Sequence, residues 1–213
     1  GVTIKIRKYI PVAAGMAGGS TDAAAVLVGV NRMFDLGFTK KELMERGVKL
    51  GADVPYCIMR GTALSEGIGE ILTELPAPPQ CHLVIAKPQI SVSTKAVYGK
   101  LRVNELAPEE HPDIDGMMAA IKNGDLDGVI ERLGNVLETV TVPDHPEISE
   151  IKEIMVENGA CGSLMSGSGP TVFGIYKDRE LAEKACQALR EADGGRLTRQ
   201  GYLTEFYNRK KAR

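Results

Sequence analysis

"PVAAGMAGGSTDAAAV", residues 11–26, sets Gly15, Gly18, Gly19, the hydroxyl pair Ser20–Thr21 and Asp22 between Pro11 and an alanine-rich run. Ahead of it, "VTIKIRKYI" alternates apolar and charged residues, which predicts a strand over Val2–Ile10. Behind it, "DAAAVLVGVNRMF" predicts a helix from about Ser20 to Phe34. The stretch is therefore a glycine-rich connection from a strand into a helix N-terminus. The first N–H groups of a helix lack an internal partner, and the macrodipole is positive there. Small residues let a ligand approach that backbone closely, and phosphate is the common guest. The competing interpretation is a tight turn and a capped helix with no ligand, Asp22 simply suiting the dipole in the first turn. The glycines and hydroxyls are more than such a turn requires, which favours phosphate.

The common phosphate motifs do not fit. No Lys follows Gly19 as a P-loop needs, and neither a G-x-G-x-x-G fingerprint nor the H-R-D and D-F-G motifs of protein kinases occur. A second small-residue loop, "SGSGPT" at 166–171, stands before a strand. A glycine turn alone would explain it. Two such loops in one chain point to a shared polyphosphate.

Working outward, Thr39 and Glu42 form a capping-box pattern that predicts a helix to about Leu50. "GADVP" (51–55) is a sharp turn, and "YCIMRGTALSEG" (56–67) and "EILTEL" (70–75) are expected as short strands. "PAPPQ" (76–80) is the best linker, giving domains 1–77 and 78–213. Beyond it, "HLVIAKP" is a strand, and helices are expected within 91–101, 113–124, 126–137, 145–159 and 178–192. "CGSLMSGSGPTVFGIY" is expected as a loop and then a strand, and "YLTEFYN" as a last strand. Helices and strands without regular alternation indicate an α+β class.

Composition excludes some functions. With 26 basic and 28 acidic residues the net charge is −2, so no general nucleic-acid surface is expected. The terminal "NRKKAR" is read as a solvated tail. No apolar run approaches the roughly 18–20 residues needed to cross a bilayer, and no signal peptide opens the chain, so no membrane partner is expected. Cys57, Cys81, Cys161 and Cys186 are too dispersed for a zinc knuckle or disulfide framework, and buried free thiols in a reducing cytoplasm are expected. His82, His111 and His145 lack metal-ligand spacing. The chain opens on Gly1 and enters the expected strand at once, so an upstream segment is expected outside it.

"PVAAGMAGGSTDAA" resembles the phosphate loop of the GHMP kinase superfamily, which includes galactokinase, homoserine kinase, mevalonate kinase and phosphomevalonate kinase. "SGSGPTVFG" resembles that superfamily's C-terminal motif. "LGADVPYCIMRGTALSEGIGE" is similar to the 4-diphosphocytidyl-2-C-methyl-D-erythritol kinase family, and the resemblance covers essentially the whole chain. It implies a two-domain α+β fold: part of a nucleotide-binding domain, then a ferredoxin-like C-terminal domain. It implies transfer of a phosphoryl group from ATP, with Mg²⁺, to a small cytidine diphosphate derivative at its 2-hydroxyl, a step of non-mevalonate isoprenoid synthesis.

The resemblance also implies residue roles. Asp53 matches the catalytic acid, although by itself an Asp in "GADVP" is more readily a turn cap. Pro11, Gly15, Ala17, Gly18, Gly19, Ser20 and Thr21 map onto the triphosphate turn, with Lys8 at the nucleotide edge. Thr94 and Tyr98 match a hydroxyl and a ring near the cytidine, Tyr98 being alternatively a core aromatic. Gly167, Ser168 and Gly169 close the site. No acidic cluster identifies metal ligands. Ala17 and Thr21 depart from the family's usual glycine and serine. The family's upstream lysine and its tyrosine–histidine pair have no counterpart here, Lys5 and Lys8 not matching that lysine. Two rivals stay open: another small-molecule kinase, of the homoserine or mevalonate type, and a nucleotide-binding module without activity.

Overall fold

A computed structural model describes residues 1–207. They divide into two compact units, one made of Gly1–Val12 and Ala17–Ala77, the other of Ala13–Met16 and Pro78–Tyr207.

The first unit holds helices α1 (Gly18–Met33), α2 (Lys40–Gly47) and α3 (Val54–Met59), then an antiparallel hairpin of β1 (Thr62–Glu66) and β2 (Ile71–Leu75). The capping box at α2 forms: Thr39 Oγ1 accepts the Glu42 N–H, and Glu42 Oε2 accepts the Thr39 N–H at 2.8 Å. Asn31 fastens the α1–α2 connection with paired bonds to the Phe38 backbone, at 2.9 and 3.1 Å. Ala24, Leu43, Val54 and Ile58 make the core. α3 packs closely on α2 because Gly47 has no side chain; a Cβ there would stand 2.8 Å from Val54 Cγ1.

Three expectations for this unit fail. Residues 2–10 form no strand, and Val2, Ile4 and Ile6 are exposed. Alternation becomes a strand only where a neighbour supplies the ladder, and β1 and β2 pair with each other. α1 begins at Gly18, so Asp22 falls in its second turn. "VPYCIM" is helical: Pro55 sits within the first two helical positions, where its missing N–H costs nothing, and Arg60 and Gly61 at φ 62° and 88° end the helix.

The second unit carries β3 (His82–Pro88), α4 (Thr94–Lys100), α5 (Ile114–Asn123), α6 (Leu126–Glu131), α7 (Glu138–Asp144), α8 (Glu147–Glu157), β4 (Gly162–Met165), β5 (Val172–Tyr176), α9 (Arg179–Glu191) and β6 (Thr198–Glu205). Its sheet has the order β4-β5-β3-β6 with every pair antiparallel. Two strands flank helices, two form a hairpin, and α9 leads to the last strand: a ferredoxin-like βαββαβ path enlarged by extra helices. Period-two alternation along β3 sends Val84 and Ala86 to a core with Ile148, Ile151 and Met155 of α8 and Ala182, Ala185 and Leu189 of α9. Leu83 goes to the other face, against Leu126 and Ile130 of α6.

Two elements here were not anticipated. β4 lies where only a loop was expected, and α7 has Thr-Val-Thr-Val with Pro143 inside it, a poor helix by propensity. Asn208, the end of the expected last strand, and the basic tail lie outside the described residues. All four cysteines are free, but only Cys81 and Cys186 are buried, Cys57 being half-buried and Cys161 exposed.

Candidate active site

In the first unit the N-terminus of α1 is bare. Its N-cap, Ala17, lies in the left-handed region at φ 47°, ψ 28° and offers no side-chain acceptor. The first backbone bond is Thr21 N–H to Ala17 O at 2.8 Å, and Thr21 Oγ1 donates to the same oxygen at 3.0 Å. The N–H groups of Gly18, Gly19 and Ser20 have no protein acceptor among the described residues. These are the donors that an anion at a helix start would use.

The glycines of this turn have different physical reasons. Gly18 is buried, and a Cβ there would stand 2.8 Å from Ile10 Cγ2 and 3.3 Å from Lys8 Nζ, so packing alone demands glycine. A Cβ on Gly19 would meet nothing within 4 Å. No protein atom explains glycine at that position. Lys8 Nζ pairs with Asp22 Oδ2 at 2.6 Å, both side chains about one-third exposed, so the ammonium sits beside the helix start already holding a partner. Pro11 is partly buried where the chain enters the turn.

Asp53 belongs to the same corner. It stands at the N-cap of α3, yet its exposed carboxylate caps nothing. Its backbone carbonyl accepts the Cys57 N–H at 3.0 Å. Cys57 Sγ lies 3.5 Å from Thr21 Oγ1, and a Cβ on Gly51 would lie 3.9 Å from Ser20 Oγ. Burial pushes the Cys57 thiol up, the Thr21 hydrogen bond opposes this, and the negative charge of Asp53 adds to the rise. The start of α3, with Asp53 at its N-cap, and the start of α1, with its open N–H groups, thus share one corner.

In the second unit the β4–β5 connection is fastened from several sides. Asn135 Nδ2 donates to Met165 O at 2.9 Å and to Gly167 O at 2.8 Å, while Asn135 Oδ1 accepts the Leu137 N–H at 3.0 Å. Thr141 Oγ1 donates to Ser168 O at 3.2 Å. Glu138 Oε1 accepts the Met165 N–H at 2.7 Å, its other oxygen holding Lys152 Nζ at 2.6 Å. Inside the loop, Ser166 N–H bonds to Thr171 O and Gly169 N–H to Ser166 O. Gly15 lies against this loop at φ 68°, its carbonyl accepting Ser166 Oγ at 2.7 Å. A Cβ on Gly15 would stand 2.2 Å from Ser166 O. Gly167 and Gly169 have φ of 56° and 83°.

Thr94, at the start of α4, shares a 2.8 Å hydroxyl–hydroxyl bond with Ser168. Tyr98 lies one turn further along the same helix face and is 61% exposed, so it is not a core aromatic. Asn135, Glu138 and Thr141 escaped the sequence motifs; the only sign was polar residues embedded in the apolar run "NVLETVT" (135–141). No three His, Cys, Asp or Glu side chains converge on a metal position among the described residues.

Known proteins resemble this chain over nearly its whole length. The GHMP kinases N terminal domain model matches residues 1–61, and the GHMP kinases C terminal model matches residues 117–194. A 4-diphosphocytidyl-2-C-methyl-D-erythritol kinase from Lachnospira eligens is 55% identical over 97% of this chain and 70% of its own length. One from Lachnoclostridium phytofermentans is 51% identical over 99% of this chain and 70% of its own. The crystal structure of a 4-(cytidine 5'-diphospho)-2C-methyl-D-erythritol kinase is 30% identical with a TM-score of 0.75, covering 93% of this chain and 68% of that one. A homoserine kinase from Cytophaga hutchinsonii has a TM-score of 0.78 at 20% identity over 94% of this chain and 68% of its own, which speaks for the fold alone. The chain belongs to the 4-diphosphocytidyl-2-C-methyl-D-erythritol kinase family of the GHMP kinases.

Proposed function

We propose that the natural protein phosphorylates the 2-hydroxyl of 4-diphosphocytidyl-2-C-methyl-D-erythritol, with ATP as donor, in the non-mevalonate route to isoprenoid precursors. The observation that carries this reading is the corner of the first unit, where the uncommitted N–H groups of Gly18, Gly19 and Ser20 stand with the uncommitted carboxylate of Asp53. The family membership adds the substrate class.

In this reading the α1 N-terminus binds the triphosphate through backbone donors and the helix dipole. Gly19, with open space beside it, lets phosphate oxygens reach the backbone. ATP supplies the phosphoryl group, and Mg²⁺ bound with it would offset the charge of the phosphates. Asp53 takes the proton from the attacking hydroxyl as the new P–O bond forms and the bond to the ADP oxygen breaks. Thr94 and Ser168 offer hydroxyls to the cytidyl substrate, and Tyr98 offers an exposed ring for the base to stack on. A cytoplasmic setting belongs to the same reading, and four free thiols suit it.

A coupled ADP-release assay on the natural protein with the cytidyl substrate, homoserine and mevalonate tests the assignment. A clear preference for the cytidyl substrate is expected. A faster rate with either of the others overturns it.

A further inference from the structure

We propose that Asn135 is a positioning residue for the β4–β5 loop: by holding two loop carbonyls it aims the Ser168 N–H at an anionic oxygen of the small-molecule substrate. The proposal rests on the kinase reading above for the identity of that substrate. Its physical basis is the peptide plane, in which C=O and the following N–H point in opposite directions.

Three loop carbonyls are turned into the protein by side chains, those of Met165 and Gly167 by Asn135 and that of Ser168 by Thr141. The N–H groups on the far side of those planes belong to Ser166, Ser168 and Gly169. Ser166 N–H is taken by Thr171 O and Gly169 N–H by Ser166 O. Ser168 N–H alone of the three has no protein acceptor among the described residues, although Ser168 is only 5% exposed. A backbone donor left unpaired in a buried residue is costly unless something else accepts from it. Its direction is set by the Gly167 carbonyl, hence by the Asn135 amide. The Ser168 hydroxyl, bonded to Thr94, adds a second donor or acceptor on the same residue.

Asn135→Asp in the natural protein tests this. The substitution keeps the shape and the Oδ1 acceptor for the Leu137 N–H and removes both donations, while the Thr141 and Glu138 bonds that also fasten the region stay in place. The KM for the cytidyl substrate is expected to rise about tenfold, the scale of one lost hydrogen bond. The kcat, the KM for ATP and the melting temperature change much less. Lowering the pH protonates the new carboxyl, which then donates one bond, so the KM penalty relative to wild type shrinks in acid. A uniform loss of kcat, both KM values and thermal stability, or no change in any, overturns the proposal.

A second readout does not depend on turnover. Cytidine 5'-diphosphate should shift the Ser168 backbone amide resonance in the wild type and shift it far less in Asn135→Asp. A Ser168 amide that this probe leaves unmoved in the wild type refutes the positioning role, even where the kinase assay succeeds. A moved amide with no kinase activity would instead refute the kinase reading alone.

Discussion

The turn that starts α1 and the loop between β4 and β5 are both built from glycines and hydroxyls, but they are held in opposite ways. At α1 no side chain caps the helix, the hydroxyl of Thr21 turns back onto Ala17 O, and three consecutive N–H groups are left over. At the β4–β5 loop, side chains from Asn135, Glu138 and Thr141 fasten the backbone, and few donors remain. The first arrangement leaves its backbone donors open by omission. The second is a shape made by clamps, in which the Ser168 N–H finds no protein acceptor among the described residues. Glycine content alone distinguishes neither. What differs is whether partners elsewhere in the chain consume the backbone groups.

If the corner at α1 carries the chemistry, the largest effect belongs to Asp53. Asp53→Asn in the natural protein is expected to lower kcat by at least ~10²-fold, the low end for a positioned proton-transfer group. KM should hardly change, because the amide keeps the shape and no structural bond is lost. Steady-state kinetics decide this. A preserved kcat with a raised KM would make Asp53 a binding residue.

Gly15, packed against the clamped loop, should instead answer in stability. Gly15→Ala drives a Cβ to within 2.2 Å of Ser166 O at a left-handed φ. A loss of about 2 kcal/mol is expected, the scale for forced backbone strain, read as a lower urea midpoint. An unchanged midpoint would mean that the loop yields and is not clamped as described.

The smallest effect sharpens the contrast from the open side. Ala17 occupies the left-handed region without glycine's freedom, at a cost of roughly 1–2 kcal/mol, part of which glycine returns through the more flexible unfolded chain. Ala17→Gly is therefore expected to stabilise by ~0.5 kcal/mol, measurable as a small rise in the unfolding midpoint. A loss of stability would show that Ala17 contributes packing that outweighs its strain.

Local signals were legible before the structure. Thr39 and Glu42 announced their helix because a capping box involves only neighbours in sequence. The glycine turn and the helix behind it were visible for the same reason, although the helix starts earlier than propensity suggested. What depends on distant partners was not visible. Residues 2–10 alternate like a strand but find no ladder among the described residues. α3 looked like a strand because Ile58 and Met59 are apolar, whereas Pro55 at the helix start and packing against Gly47 decide otherwise. α7 forms against its β-branched residues, with Glu138 held by Lys152 and the Met165 N–H, bonds that no window of sequence contains. Asn135 was silent for that reason too: its role lies in two carbonyls some 30 residues away.

Amide resonances followed during a MgATP titration of the natural protein show whether the unpartnered backbone of α1 receives phosphate. Gly18, Gly19 and Ser20 are expected to move most, and Thr21, whose N–H is already given to Ala17 O, to move less. Amides of Gly18, Gly19 and Ser20 that stay in place at MgATP concentrations saturating turnover would contradict it.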